Sequence, residues 1–272
     1  MSTTESYRSG HQKGSRLDGF HFDAAGNSII FLVTKTNDID ALSLWDRVKE
    51  CADLLHKCSP DMFAIVDTST HQWRATFWNP DKTPEKVCIN ALRCVHPLAQ
   101  LLLGQTSHTQ SISIETHHCM FNCFIDSTGR AGTSMPCSSV FIDRVSDGDY
   151  IVDVGTPHRV RIVRNLVSDD ISRLGYMWSE GRHPVNATFI KAEQDGISVR
   201  TFERGVGETG SCGSGALASY IVANREFVLK DVSPSQVPVH FRSGHVLFVS
   251  RHENQDSYCV AGEVNSAMHF FL

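Results

Sequence analysis

The sequence predicts a mixed α/β protein, rich in strands and built from two comparable halves. Three observations predict it. Short β-branched and aromatic runs bounded by turn residues recur along the chain. Few segments carry the 3.6-residue period of a helix. A cysteine followed by an apolar helical run occurs twice, at Cys88 and at Cys212.

In the first half, strands are expected at 28–34, 63–67, 76–78 and 111–115, and in the second at 140–143, 150–154, 159–163, 187–191 and 239–249. A helix is expected at 41–57, where Leu42, Trp45, Val48, Ala52 and Leu55 fall on one face. Another should follow Cys88, with Pro97 kinking it or ending its first part. Residues 167–174 and the run after Cys212 complete the set. The stretch 267–272 is apolar throughout and should dock as a strand. The polar, glycine-containing break at 126–130 offers a junction between the halves, giving a polar tail (1–17), a first domain (18–130) and a second (131–262).

At 272 residues, 41 % hydrophobic and 20 % charged, the composition is that of a soluble globular protein. The net charge of −5 and the lack of a Lys/Arg stripe argue against a nucleic-acid partner. No apolar run reaches the length of a membrane span, and the first 17 residues lack the apolar core of a signal peptide. A cytoplasmic protein acting on a small molecule is expected. Nine cysteines, an odd number, then read as reduced thiols.

The most informative segment is 203–218, ERGVGETGSCGSGALA. Glycine-rich backbone ahead of a helix leaves N–H groups free and lets an anionic ligand approach closely. Cys212 would feel the positive end of that helix, which should lower its pKa and favour the thiolate. The spacing Gly205-x-Gly207-x-x-Gly210 also matches a dinucleotide loop, but no strand–loop–helix unit with a downstream acid frames it. Cys88 repeats the arrangement in NPDKTPEKVCINALR (79–93), with Asn90 as a donor at the helix start. One thiol from each half suits inversion of a carbon centre: a thiolate removes a proton from one face while a thiol delivers one to the other. The carbanion that forms beside a carboxylate would be stabilised by the donors of two helix N-termini, so neither a cofactor nor a metal is expected.

These segments resemble the diaminopimelate epimerase family over most of the chain. Ala25–Gly26–Asn27–Ser28 is similar to its Gly-Asn-Asp segment, and Asn79 to an asparagine at the same offset before the first cysteine. Cys88–Ile89–Asn90–Ala91–Leu92–Arg93 resembles Cys-Gly-Asn-Gly-x-Arg, Gly155–Thr156–Pro157–His158 resembles Gly-Asn-Pro-His, and Asn186–Ala187–Thr188–Phe189 resembles Asn-x-x-Phe. The run from Glu203 to Gly215 fits the family's most specific signature. The resemblance implies two pseudo-symmetric domains, each a β-barrel-like sheet around a central helix, with 263–272 returning to the first. It implies a homodimer and a place in lysine biosynthesis. Cys88 and Cys212 would be the acid/base pair, with Asn90, Gly213, Ser214 and the Ile89 backbone on the α-carboxylate. Asn27 would hold the substrate, with Asn79, Asn186, Glu203 and Arg204 around its distal end.

Three positions depart from the family pattern. Ile89 and Ala91 replace glycines, and Thr156 replaces an asparagine of the distal site. Diaminopimelate is therefore the first substrate to test, and another amino acid, such as histidine or another basic one, the alternative. Hydroxyproline epimerisation, dehydration or double-bond isomerisation on the same scaffold fits less well with Glu203–Arg204. An inactive amino-acid-binding protein would have no use for two thiols. His117, His118, Cys119 and Cys123 lack the pairing of a zinc site, Cys94 reads as core, and His158 as a structural histidine near the site.

Overall fold

A computed structural model describes residues 17–35, 60–104, 111–226 and 236–271. The helix expected at 41–57 lies outside them. The predicted strand-rich α/β class is observed.

The first run of elements is β1 (Asp18–Asp23), β2 (Ser28–Thr34), β3 (Met62–Asp67), β4 (Trp73–Trp78), β5 (Pro84–Glu85), α1 (Ile89–Leu103), β6 (Ser111–Glu115), β7 (Met120–Ile125), β8 (Ala131–Pro136) and β9 (Phe141–Ser146). The second is β10 (Asp149–Asp153), β11 (Pro157–Ile162), α2 (Asp169–Glu180), β12 (Asn186–Ala192), β13 (Ile197–Glu203), β14 (Gly207–Glu208), α3 (Gly213–Arg225), β15 (Val237–Phe241), β16 (Val246–His252), β17 (Ser257–Gly262) and β18 (Asn265–Phe271).

All eighteen strands hydrogen-bond into one sheet whose order repeats itself. From β8 outward the neighbours are β7, β6, β4, β3, β2, β1 and β18; from β17 they are β16, β15, β13, β12, β11, β10 and β9. Parallel pairs fall at matching places, β2–β3 and β4–β6 against β11–β12 and β13–β15. The two runs join where β8 pairs antiparallel with β17. The last strand of each run pairs with the first strand of the other: β18 lies on β1, and β9 on β10.

Composition explains the local choices. In β2, SIIFLVT, every residue after Ser28 is buried, as a strand with a parallel neighbour and covered faces requires. Helix α3, GSGALASYIVANR, is buried on all sides because its small residues let the sheet approach it closely. Helix α2 starts where Ser168 Oγ accepts the Asp170 N–H at 3.2 Å, with Asp169 and Asp170 favourable to its dipole.

One expectation needs correction. The run 239–249 is two strands, because Gly244 at φ 91° lets Phe241 and His245 close a tight turn. Helix α1 runs through Pro97 to Leu103. The break at 126–130 is the hairpin turn between β7 and β8, held by Asp126 accepting from the Thr128 and Arg130 N–H groups, and the sheet runs unbroken past it.

Candidate active site

Cys88 and Cys212 occupy equivalent positions in the two runs, each capping the helix that lies inside its half of the sheet. Cys88 (φ −130°, ψ 104°) accepts the Ala91 N–H on its sulfur at 3.5 Å; Cys212 (φ −141°, ψ 113°) accepts the Gly215 N–H at 3.3 Å. Their carbonyls accept the first intrahelical bonds, from Leu92 at 2.9 Å and Ala216 at 2.8 Å. An N-cap position normally holds Ser, Thr, Asp or Asn, whose oxygen is a far better acceptor than sulfur. Both helices thus place a reactive thiol where a stronger cap would serve stability alone. The N–H groups of the first helical turn have no intrahelical acceptor and point outward from the cap.

The two helix N-termini meet. A β-carbon built on Gly213 would sit 2.7 Å from Ile89 Cγ2 and 2.9 Å from Asn90 Oδ1. Around this junction lies a cavity of about 220 Å³. All the site residues named from the sequence line it: Cys88, Cys212, Asn27, Asn79, Ile89, Asn90, Thr156, Asn186, Glu203, Arg204, Gly213 and Ser214. Sequence reasoning missed Asp61, Met62 and Glu85, which also line it, and did not assign Val206, Glu208, Thr209 or Gly210 within the glycine-rich segment.

A buried polar network fixes the junction. Arg93 is fully buried and donates to the carbonyls of Glu263 (3.1 Å) and Ala24 (3.2 Å) and to Asn90 Oδ1 (3.0 Å). That leaves Asn90 Nδ2 to face Ser211, whose hydroxyl donates to the Ala25 carbonyl at 2.7 Å. Asn27 Oδ1 is buried beside the cavity with no hydrogen-bond partner among the described residues. An acceptor left open in this way calls for a donor from a ligand.

At the far end, Arg204 pairs with Glu85, which also accepts from Asn79 Nδ2 at 2.9 Å. Asn186 Oδ1 holds the Arg204 backbone N–H at 2.8 Å, and Thr209 donates to Glu203 at 2.6 Å. Thr156 donates to the Val87 carbonyl at 3.4 Å, just ahead of Cys88.

The thiols are not depressed as the helix dipoles alone would dictate. Burial pushes Cys88 up to about 12, against the lowering hydrogen bond from the Ala91 N–H. Burial, followed by the charge of Glu203, raises Cys212 well above its ordinary value, against the Ser214 and Gly215 contacts. Desolvation outweighs the dipole at both positions. Behind Cys212, the buried His158 bridges Thr188 Oγ1 and Ser214 Oγ, each at 2.9 Å, and Ser214 Oγ lies 3.3 Å from the Cys212 sulfur. Burial holds His158 down at about 3, so it is neutral.

Other motifs are absorbed by the fold. Gly205 and Gly207, at φ 73° and 90°, make the turn between β13 and β14. His118 bonds the Ser139 carbonyl at 2.9 Å and Cys123 lies against Thr133, so these groups do not converge. Among the described residues no three His, Cys, Asp or Glu side chains are grouped to hold a metal. Cys94 is buried in the core. No described helix is long and apolar enough to cross a membrane.

The profile of a family described as "Diaminopimelate epimerase" matches residues 150–266. A diaminopimelate epimerase from Chlorobaculum tepidum is 29 % identical over 215 residues, 74 % of this chain and 81 % of that protein. One from Aromatoleum aromaticum is 26 % identical over 252 residues, 81 % of this chain and 86 % of that protein.

The chain is similar to diaminopimelate epimerases over most of its length.

Its relatives over that length are epimerases, which makes it an isomerase of the epimerase/racemase type. A third relative, the diaminopimelate epimerase of Caldanaerobacter subterraneus subsp. tengcongensis, is 39 % identical over 120 residues, 42 % of this chain and 40 % of that protein. The fold reaches further. A hydroxyproline epimerase from Agrobacterium vitis superposes with a TM-score of 0.63 at 10 % identity, covering 96 % of this chain and 94 % of its own. A phenazine biosynthesis PhzC/PhzF protein from Clostridium difficile gives 0.66 at 10 % identity, covering 94 % and 99 %.

Proposed function

We propose that this protein inverts the α-carbon of an amino acid with Cys88 and Cys212 as the acid/base pair. The observation that supports it is the equivalence of the two cysteines, each an N-cap thiol on one shared cavity. The α-carboxylate would sit on the first-turn N–H groups of Ile89, Asn90, Gly213 and Ser214, where two helix dipoles add. The α-ammonium would supply the donor that Asn27 Oδ1 lacks.

With the substrate so held, one sulfur takes the α-proton as a thiolate and the other delivers a proton from its thiol. The electron pair left on the α-carbon spreads into the carboxylate, whose growing charge the N–H groups stabilise. The thiols then exchange roles for the reverse reaction. Burial favours the thiol at both positions, so the active form carries one proton fewer than the resting pair. The mechanism calls for no cofactor and no metal.

Diaminopimelate, LL to meso, is the first candidate substrate, because it is what the relatives' names specify. A basic amino acid such as histidine is a second reading, favoured by Thr156 and by the engagement of Arg204 with Glu85. Proton NMR in deuterated water, on reduced protein, tests both. Loss of the Cα–H signal with diaminopimelate establishes that substrate, and loss only with another amino acid transfers the mechanism to it. Binding without exchange for every amino acid would replace the enzyme with a binding protein.

A further inference from the structure

We infer that Asp61 is a specificity residue that selects a substrate whose side chain carries a single positive charge. The inference rests on the racemase reading of the same cavity.

Acidic side chains outnumber cationic ones on the cavity wall. Four carboxylates line it, Asp61, Glu85, Glu203 and Glu208, against one cationic side chain, Arg204. Glu85 takes the Arg204 guanidinium. Glu208 takes Arg200, which donates to both of its oxygens at 2.7 Å. Asp61 and Glu203 have no cation among the described residues; Asp61 accepts the Ser28 N–H at 2.8 Å, and Glu203 accepts the Thr209 hydroxyl at 2.6 Å and lies in hydrogen-bond contact with the Cys212 thiol. Asp61 is exposed at the rim, whereas Glu203 stands close enough to Cys212 to raise it.

A bound amino acid with its carboxylate on the helix N-termini brings its ammonium to the inner part of the cavity. That ammonium answers one of the two open carboxylates. The side chain then extends toward the wall that holds Asp61, and a lysine, ornithine, arginine or histidine cation answers the second. A neutral side chain would forgo the attraction of Asp61 at the rim. The zwitterionic far end of diaminopimelate would need its carboxylate to displace Glu85 from Arg204.

The test measures α-proton exchange and, separately, binding by NMR titration, for L-lysine, L-arginine, L-histidine, L-norleucine and LL-diaminopimelate. We expect kcat/KM for lysine to exceed that for norleucine at least tenfold. Asp61→Asn should reduce that ratio at least tenfold, and Glu85→Gln should shift preference toward diaminopimelate. Equal rates for lysine and norleucine, an unchanged ratio in D61N, or a preference for diaminopimelate would overturn the inference. Preferential binding of lysine with no exchange would uphold the charge selection and remove the racemase reading. Binding that ignores side-chain charge removes the selection, whatever the exchange result.

Discussion

The Ile89 side chain fills the space that a β-carbon on Gly213 would need, its Cγ2 lying 2.7 Å from that point. The bulk that replaces a glycine at position 89 is accommodated by the glycine of the facing helix. The departure at 89 therefore leaves the first-turn N–H groups in place.

Gly213→Ala should accordingly drive two helix N-termini apart. Overpacking of this kind costs about 1–3 kcal/mol, read as a shift of the urea midpoint, and it should also lower exchange activity. Ile89→Gly combined with Gly213→Ala should be more stable than the sum of the single changes implies. Strict additivity would mean that the two residues do not compete for the same space.

Cys88→Ser and Cys212→Ser should separate chemistry from folding. Serine is the better N-cap, so the melting temperature should stay level or rise. Catalysis should fall by ~10²-fold or more, because a hydroxyl is too weak an acid to replace a thiol in proton transfer. Substantial turnover in either variant would remove that cysteine from the acid/base pair.

The buried thiols give stability a definite alkaline limit. Cys88 is raised from an ordinary 9.0 to about 12, so the folded state keeps a proton that the unfolded chain releases. Its contribution is complete below pH 9 and disappears as the pH rises from there to about 12. Urea unfolding across that window should show Cys88→Ser losing less stability with pH than the unaltered protein. Parallel curves would mean that the thiol ionises freely in the fold.

Arg93→Met should be among the most damaging changes outside the cavity. It removes the donor to the buried Ala24 carbonyl and Asn90 Oδ1 and to the part-buried Glu263 carbonyl. Unpaired groups of this kind cost about 1–3 kcal/mol each. Thermal unfolding should show the loss. Because Asn90 also loses its anchor, a residual folded fraction should exchange substrate protons more slowly per molecule.

Much of this was legible in the chain, and the remainder fails for identifiable reasons. Strands β2 and β6 match their expected spans because their apolar and β-branched residues are contiguous. Strand β8, AGTSMP, was not foreseen: its glycine, serine and proline read as a turn, and it is a strand because β7 and β17 flank it. In the site, glycine-rich sequence announced Cys212, and its repeat announced Cys88. Asp61 and Glu85 gave no such signal, since a single acid beside a short strand has no local pattern; only the meeting of the two halves brings them to one cavity. The direction of the thiol shift was misjudged for a related reason: a helix start is visible in sequence, whereas desolvation by distant segments is not.

The exchange of end strands also dictates an order of events during synthesis. Strand β1 is translated well before one of its two partners, β18. Until then β1 can pair only with β2, and its other edge stands open to any neighbouring chain. A nascent chain stalled before residue 265 would be sticky in this one place. Translation of β18 shuts that edge.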